Sequence, residues 1–84
     1  MGLSIAPDQL ATMGSYVARE WGDYGYRFEN IESPTSYVSV GHVVCSDGGR
    51  FFVAVDRWGN CRHADSEQGW HEIVAELDAK ARVA

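Results

Sequence analysis

The sequence predicts an α+β fold, a two-layer sandwich in the order α-β-β-β-β-α, in which an antiparallel meander sheet carries both helices on one face. Three observations predict it. Apolar residues recur at helical spacing near both ends, the middle of the chain is rich in β-branched residues with strand periodicity, and glycine-bearing turns divide that middle into short segments. Consecutive strands with short connections pair as a meander, and amphipathic helices have the sheet on which to bury their stripes. The 84 residues form a single small globular domain, 1–84, with an ordered core over about 5–82. At this length only about 60–65% of the unfolded surface is buried, so the core must be compact.

The first helix is expected near residues 6–21, because Leu10, Met13, Val17 and Trp21 fall on one stripe. Pro7 suits the first turn, Asp8 suits the positive end of the helix dipole, and Gly22 allows a left-handed stop. DYGYRFENI then alternates, with Tyr24, Tyr26 and Phe28 on one side and Arg27, Glu29 and Ile31 on the other; Pro34 ends it. YVSVGHVVC is a strand rich in valine that runs into the turn SDGG, and RFFVAV is the returning arm. DRWGN turns the chain again at Gly59, and CRHA is a short fourth strand. Asp65 or Ser66 caps a closing helix near 66–82, whose stripe is Trp70, Ile73, Val74, Leu77 and Ala81, while Glu67, Glu72, Glu76 and Lys80 face water. The expected core includes Leu10, Met13, Val17, Val53, Val55, Ile73 and Leu77.

The faces of the sheet follow from the turns. Two-residue loops at Gly48-Gly49 and Trp58-Gly59 pair Cys45 with Phe52, Asp56 with Cys61 and Ala54 with His63. Val38, Val40, His42, Val44, Phe51, Val53, Val55 and Ala64 then share the side covered by the helices. Tyr37, Ser39, Gly41, Val43, Cys45, Phe52, Ala54, Asp56, Cys61 and His63 share the other. With Tyr37, Val43 and Phe52 upon it, that second face is too apolar to be merely solvated, so it is expected to be a contact surface.

Composition narrows the partners. Twelve acidic against seven basic residues give a net charge of −5, which opposes capture by nucleic-acid phosphates or anionic lipid. The element order resembles that of double-stranded RNA-binding domains, which run helix, three strands, helix. The lysine-rich start such domains need at their last helix reads DSEQGWHE here, so RNA binding is not carried over. No stretch approaches the ~18 apolar residues of a membrane span, and the N-terminus lacks the cationic and apolar regions of a signal peptide. The expected compartment is the cytoplasm, with two cysteines as thiols.

His42, Cys45, Cys61 and His63 have the number and softness of a tetrahedral zinc set. His42 and Cys45 differ in parity and so leave opposite sides of one strand. Cys45 and Cys61 share a face but lie four residues apart along the sheet, about 13 Å, which excludes a common ion and a disulfide. Cys61 with His63 as a thiol–imidazole pair lacks an oxyanion hole and an orienting group, so no catalytic residues are assigned. Trp21, Tyr24, Tyr26 and Phe28 crowd together and would line a pocket if any small molecule is bound. Trp58 falls on a hairpin tip, where its own domain buries it with difficulty.

These features favour a small interaction or regulatory module, such as an adaptor or inhibitor. It needs no cofactor and binds a protein partner or itself, as a homodimer, through Tyr37, Val43, Phe52 and Trp58. The alternative is a small-molecule or zinc-binding domain built on the aromatic cluster or on the His and Cys residues.

Overall fold

The structure, a computed structural model, describes residues 7–22 and 25–83. The expectations placed on Asp8 and Tyr24 concern side chains outside that description. α1 runs over Pro7–Trp21, β1 over Tyr26–Glu32, β2 over Val38–Cys45, β3 over Arg50–Asp56, β4 over Cys61–Ala64 and α2 over Glu67–Val83. The strands form one sheet in the order β1-β2-β3-β4, each pair antiparallel. The α+β class, the α-β-β-β-β-α order and the meander are those the sequence predicts.

The helices, however, do not share a face. Trp70, Ile73, Val74 and Leu77 of α2 pack with Val38, Val40 and Ala54, with Phe52 and Ala64 at the margin. Met13 and Val17 of α1 pack with Val43, Phe51, Val53 and Val55, with Phe28, Cys45 and Cys61 at the margin. These are the two opposite parities of the paired strands, so the sheet is the middle of three layers.

The cause lies in the turns. Cys45 and Gly49 pair across the first hairpin through a 2.8 Å backbone bond, and Gly48 N–H donates to the Cys45 carbonyl, leaving Ser46, Asp47 and Gly48 as a three-residue loop. Asp56 and Asn60 do the same in the second, around Arg57, Trp58 and Gly59. Gly48 and Gly59 have φ of 89° and 87°, the left-handed value that closes a three-residue hairpin and that other residues adopt at a cost. With two-residue loops Cys45 would oppose Phe52, whereas in the structure His42 opposes Phe52 and Val43 opposes Phe51. An odd shift exchanges faces, so Phe52 and Ala54 join Val38 and Val40, while Phe51, Val53 and Val55 join Val43. Both faces become apolar and each requires its own helix, which is also why FFVAV reads as a continuous apolar run.

The α2 stripe is buried as expected. On α1, Met13 and Val17 are fully buried, but Leu10 is 40% exposed and Gln9 takes the inward position. Gln9 lies four residues before Met13, on the same face of the helix. Its amide is satisfied there, because Ser39 Oγ donates to Gln9 Oε1 at 3.2 Å and Gln9 Nε2 donates to the Tyr37 carbonyl at 3.4 Å. A buried amide with both ends paired is tolerated where an unpaired one would not be.

The Met13 side chain of α1 and the Phe28 ring close over Gly41. A methyl group there would stand 2.5 Å from Met13 Sδ and 2.8 Å from Phe28 Cε1, inside normal contact distance. Gly41→Ala is therefore expected to destabilise the protein by about 1–3 kcal/mol through overpacking, measured by chemical denaturation. A neutral result would mean that Met13 and Phe28 do not close over Gly41.

Candidate functional site

The β3–β4 hairpin carries an exposed aromatic on a fixed turn. Asp56 closes β3 and is 1% exposed, yet its carboxylate is fully used: Oδ1 accepts the Trp58 and Asn60 backbone N–H groups at 2.9 Å each, and Oδ2 accepts Asn60 Nδ2 at 2.8 Å. Charge-assisted bonds of this kind compensate the burial of the carboxylate and hold the loop in one conformation. The side chain raised on that loop, Trp58, is 60% exposed. Trp58 also lines a shallow recess of 210 Å³ with Gln9, Thr12 and Arg57. The recess shares Thr12 and Gly59 with an open groove of 480 Å³ between α1 and β4, lined further by Ser15, Tyr16, Arg19, Asn60 and Cys61.

On the other side of the hairpin, Arg57 reaches the Tyr37 ring, its guanidinium 5.5 Å from the ring centre. Arg82, from the last turn of α2, lies 5.4 Å from the same centre. Thr35 Oγ1 accepts the Tyr37 and Val38 backbone N–H groups and so fixes the segment that presents the ring. Three segments distant in sequence thus place two guanidiniums on one tyrosine, an arrangement stabilised by attraction of each cation to the ring. Arg82 is also bonded to Asp78 at 2.7 Å, which raises its affinity for the proton and holds the Asp78 carboxyl below its ordinary range.

The residues expected to form an open sheet face are dispersed. Val43 is 1% exposed beneath α1, and Tyr37 and Phe52 are half-buried at the edge of the α2 core. Among the described residues both faces of the sheet carry a helix, so the contact surface expected on the sheet is not available there, and of its members Trp58 alone is strongly exposed. The aromatic cluster is likewise occupied in packing. Trp21 packs on Phe51 with the rings tilted and their centres 4.2 Å apart, Tyr26 meets Phe28 edge to face at 6.0 Å, and the Tyr26 hydroxyl donates to the Gly14 carbonyl.

The four candidate metal ligands also separate. His42 sits on the α2 side, edge to face with Phe52 at 4.9 Å, and bonds Glu32 at 2.9 Å. Cys45, Cys61 and His63 lie on the α1 side. Cys45 pairs with Gly49 and Cys61 with Val55, a separation of about 20 Å along β3, larger than the expected one because the first loop lies earlier in the chain, at residues 46–48. His63 bonds the Tyr16 hydroxyl at 2.8 Å and packs edge to face on Trp21. Burial pushes the Cys61 thiol above its ordinary value, and Asp56 adds to this while Arg19 opposes it. A nucleophilic thiolate needs the reverse environment. Burial also raises the Tyr16 hydroxyl.

The Asp56 clamp was open to inspection in DRWGN, since an Asp opening a glycine turn commonly accepts backbone N–H groups two residues on. The Tyr37–Arg57–Arg82 grouping has no local signal, because its members come from three separate segments.

Asp56→Ala removes the acceptor of two backbone donors and one amide, so a loss of about 1–3 kcal/mol is expected. The same change should lower the steady-state fluorescence anisotropy contributed by Trp58, read as the difference between proteins with and without that tryptophan. Unchanged anisotropy would mean that the carboxylate does not order the tip. The sequence matches no family model, and no curated protein or solved structure shows significant similarity to it.

Proposed function

We propose that this protein is a small contact module that binds a protein partner through the β3–β4 hairpin, acting by association and not by turnover, in the cytoplasm, where its two thiols stay reduced. The observation that carries this reading is Trp58, 60% exposed on a turn that the Asp56 carboxylate holds in place. An exposed indole on a rigid loop offers a large apolar area with little conformational entropy left to lose, which is the character of an interface anchor. The neighbouring recess and groove supply polar groups around it, as at an interface rim.

The reading moves the contact from the centre of the sheet to its end, since α1 and α2 occupy the faces. A ligand pocket built from Trp21, Tyr26 and Phe28 has less support, because those rings form the seam between α1 and the sheet. No helix among the described residues is long and apolar enough to cross a membrane.

Panning a displayed peptide library on the immobilised protein, then measuring the enriched peptides by calorimetry, tests the proposal. Trp58→Ala should weaken them about 30-fold, or about 2 kcal/mol, while the thermal midpoint stays within experimental error. Equal binding to both proteins, or no enrichment at all, would overturn it.

A further inference from the structure

Beside Trp58 lies a local charge pattern opposite to that of the whole chain. The net charge is −5, yet the hairpin end carries Arg57 and, across Tyr37, Arg82. Arg57 is exposed and, among the described residues, pairs with no carboxylate; its contact is the Tyr37 ring. The nearest hairpin acid, Asp56, is buried and committed to the Trp58 and Asn60 donors, so it does not neutralise the patch from outside. Asp78 offsets Arg82 in part. A guanidinium laid on an aromatic ring keeps its edge donors available, which suits it to carboxylates.

We infer that the partner segment bound at this hairpin is an acidic polypeptide, its carboxylates taken by Arg57 and Arg82 around Tyr37 and an apolar side chain set against Trp58. This rests on the contact reading above and names the chemistry of its partner. The overall negative charge does not prevent it, because charges more than about 8–10 Å away are screened at physiological salt while a guanidinium in contact is not. A second copy of this chain is the poorer occupant: two-fold pairing through this end would set two arginine-bearing patches against each other, and a head-to-tail contact would build a ring or an open filament. A nucleic acid would also meet the guanidiniums, but its continuous phosphate charge would extend over the acidic remainder of the surface.

The test uses a fluorescein-labelled peptide of glutamates interspersed with leucines, beside the same peptide with glutamine at each glutamate. Binding is followed by anisotropy with the wild type, Arg57→Glu and Trp58→Ala. The acidic peptide should bind saturably, about tenfold more weakly to Arg57→Glu, and more weakly again as salt rises from about 0.03 to about 0.3 M, which shortens the screening length about threefold. Trp58→Ala should weaken both peptides. If the glutamine peptide binds as well as the acidic one, or if Arg57→Glu leaves binding unchanged while Trp58→Ala lowers it, the acidic partner is wrong and the contact site stands. No saturable binding of the acidic peptide overturns the inference, as does tighter binding of a labelled oligothymidylate. Sedimentation of the unliganded protein as a concentration-dependent dimer that Arg57→Glu abolishes would instead assign the surface to a second copy.

Discussion

The length of two turns decides how every other part of this protein is arranged. A strand presents alternate residues to opposite faces, so one residue more or fewer in a hairpin loop exchanges the two sets of side chains. Gly48 and Gly59 both adopt the left-handed conformation, and both hairpins close with three residues outside the ladder. In consequence Phe52 and Ala54 stand with Val40, Val53 and Val55 stand with Val43, and neither face of β3 can be left to water. The position of α1 and α2 on opposite sides is the burial of these two faces.

A sheet covered on both sides by a chain this short has its freedom at the ends of the strands. The centre is closely set: Gly41 leaves room for Met13 and Phe28, and the amide of Gln9 is fully matched by Ser39 and the Tyr37 carbonyl. On the side of β4, Arg62 reaches Glu76 of α2 at 2.9 Å and holds that carboxyl below its ordinary value, with Lys80 adding to the effect. Both hairpin tips lie outside the packed layers, and the second is the one that carries Arg57 and Trp58. The same three-residue geometry that sets the faces also places Asp56 where its carboxylate can hold that tip, so fold and proposed contact share one structural cause.

Much of this was readable in advance, and the limits have physical reasons. The α2 stripe of Trp70, Ile73, Val74, Leu77 and Ala81 was complete in the sequence because helical spacing is a local property. The strands were readable for the same reason. The turn lengths were not, since SDGG and RWGN each contain residues compatible with two-residue and three-residue loops. Leu10 was placed inside because hydropathy favours it over Gln9, but hydropathy is blind to a partner such as Ser39 thirty positions away in sequence. Tyr37 was expected on an open sheet face, whereas it is half-buried at the edge of the α2 core and meets two guanidiniums from distant segments, which no local pattern signals.

The central claim is that the sheet lies between its helices, and methyl-to-methyl nuclear Overhauser effects test it directly. The structure predicts contacts from Met13 and Val17 to Val43, Val53 and Val55, and a separate set from Ile73, Val74 and Leu77 to Val38, Val40 and Ala54. Effects from residues of both helices to a single set of strand methyls would contradict it, and would return the other face of the sheet to solvent.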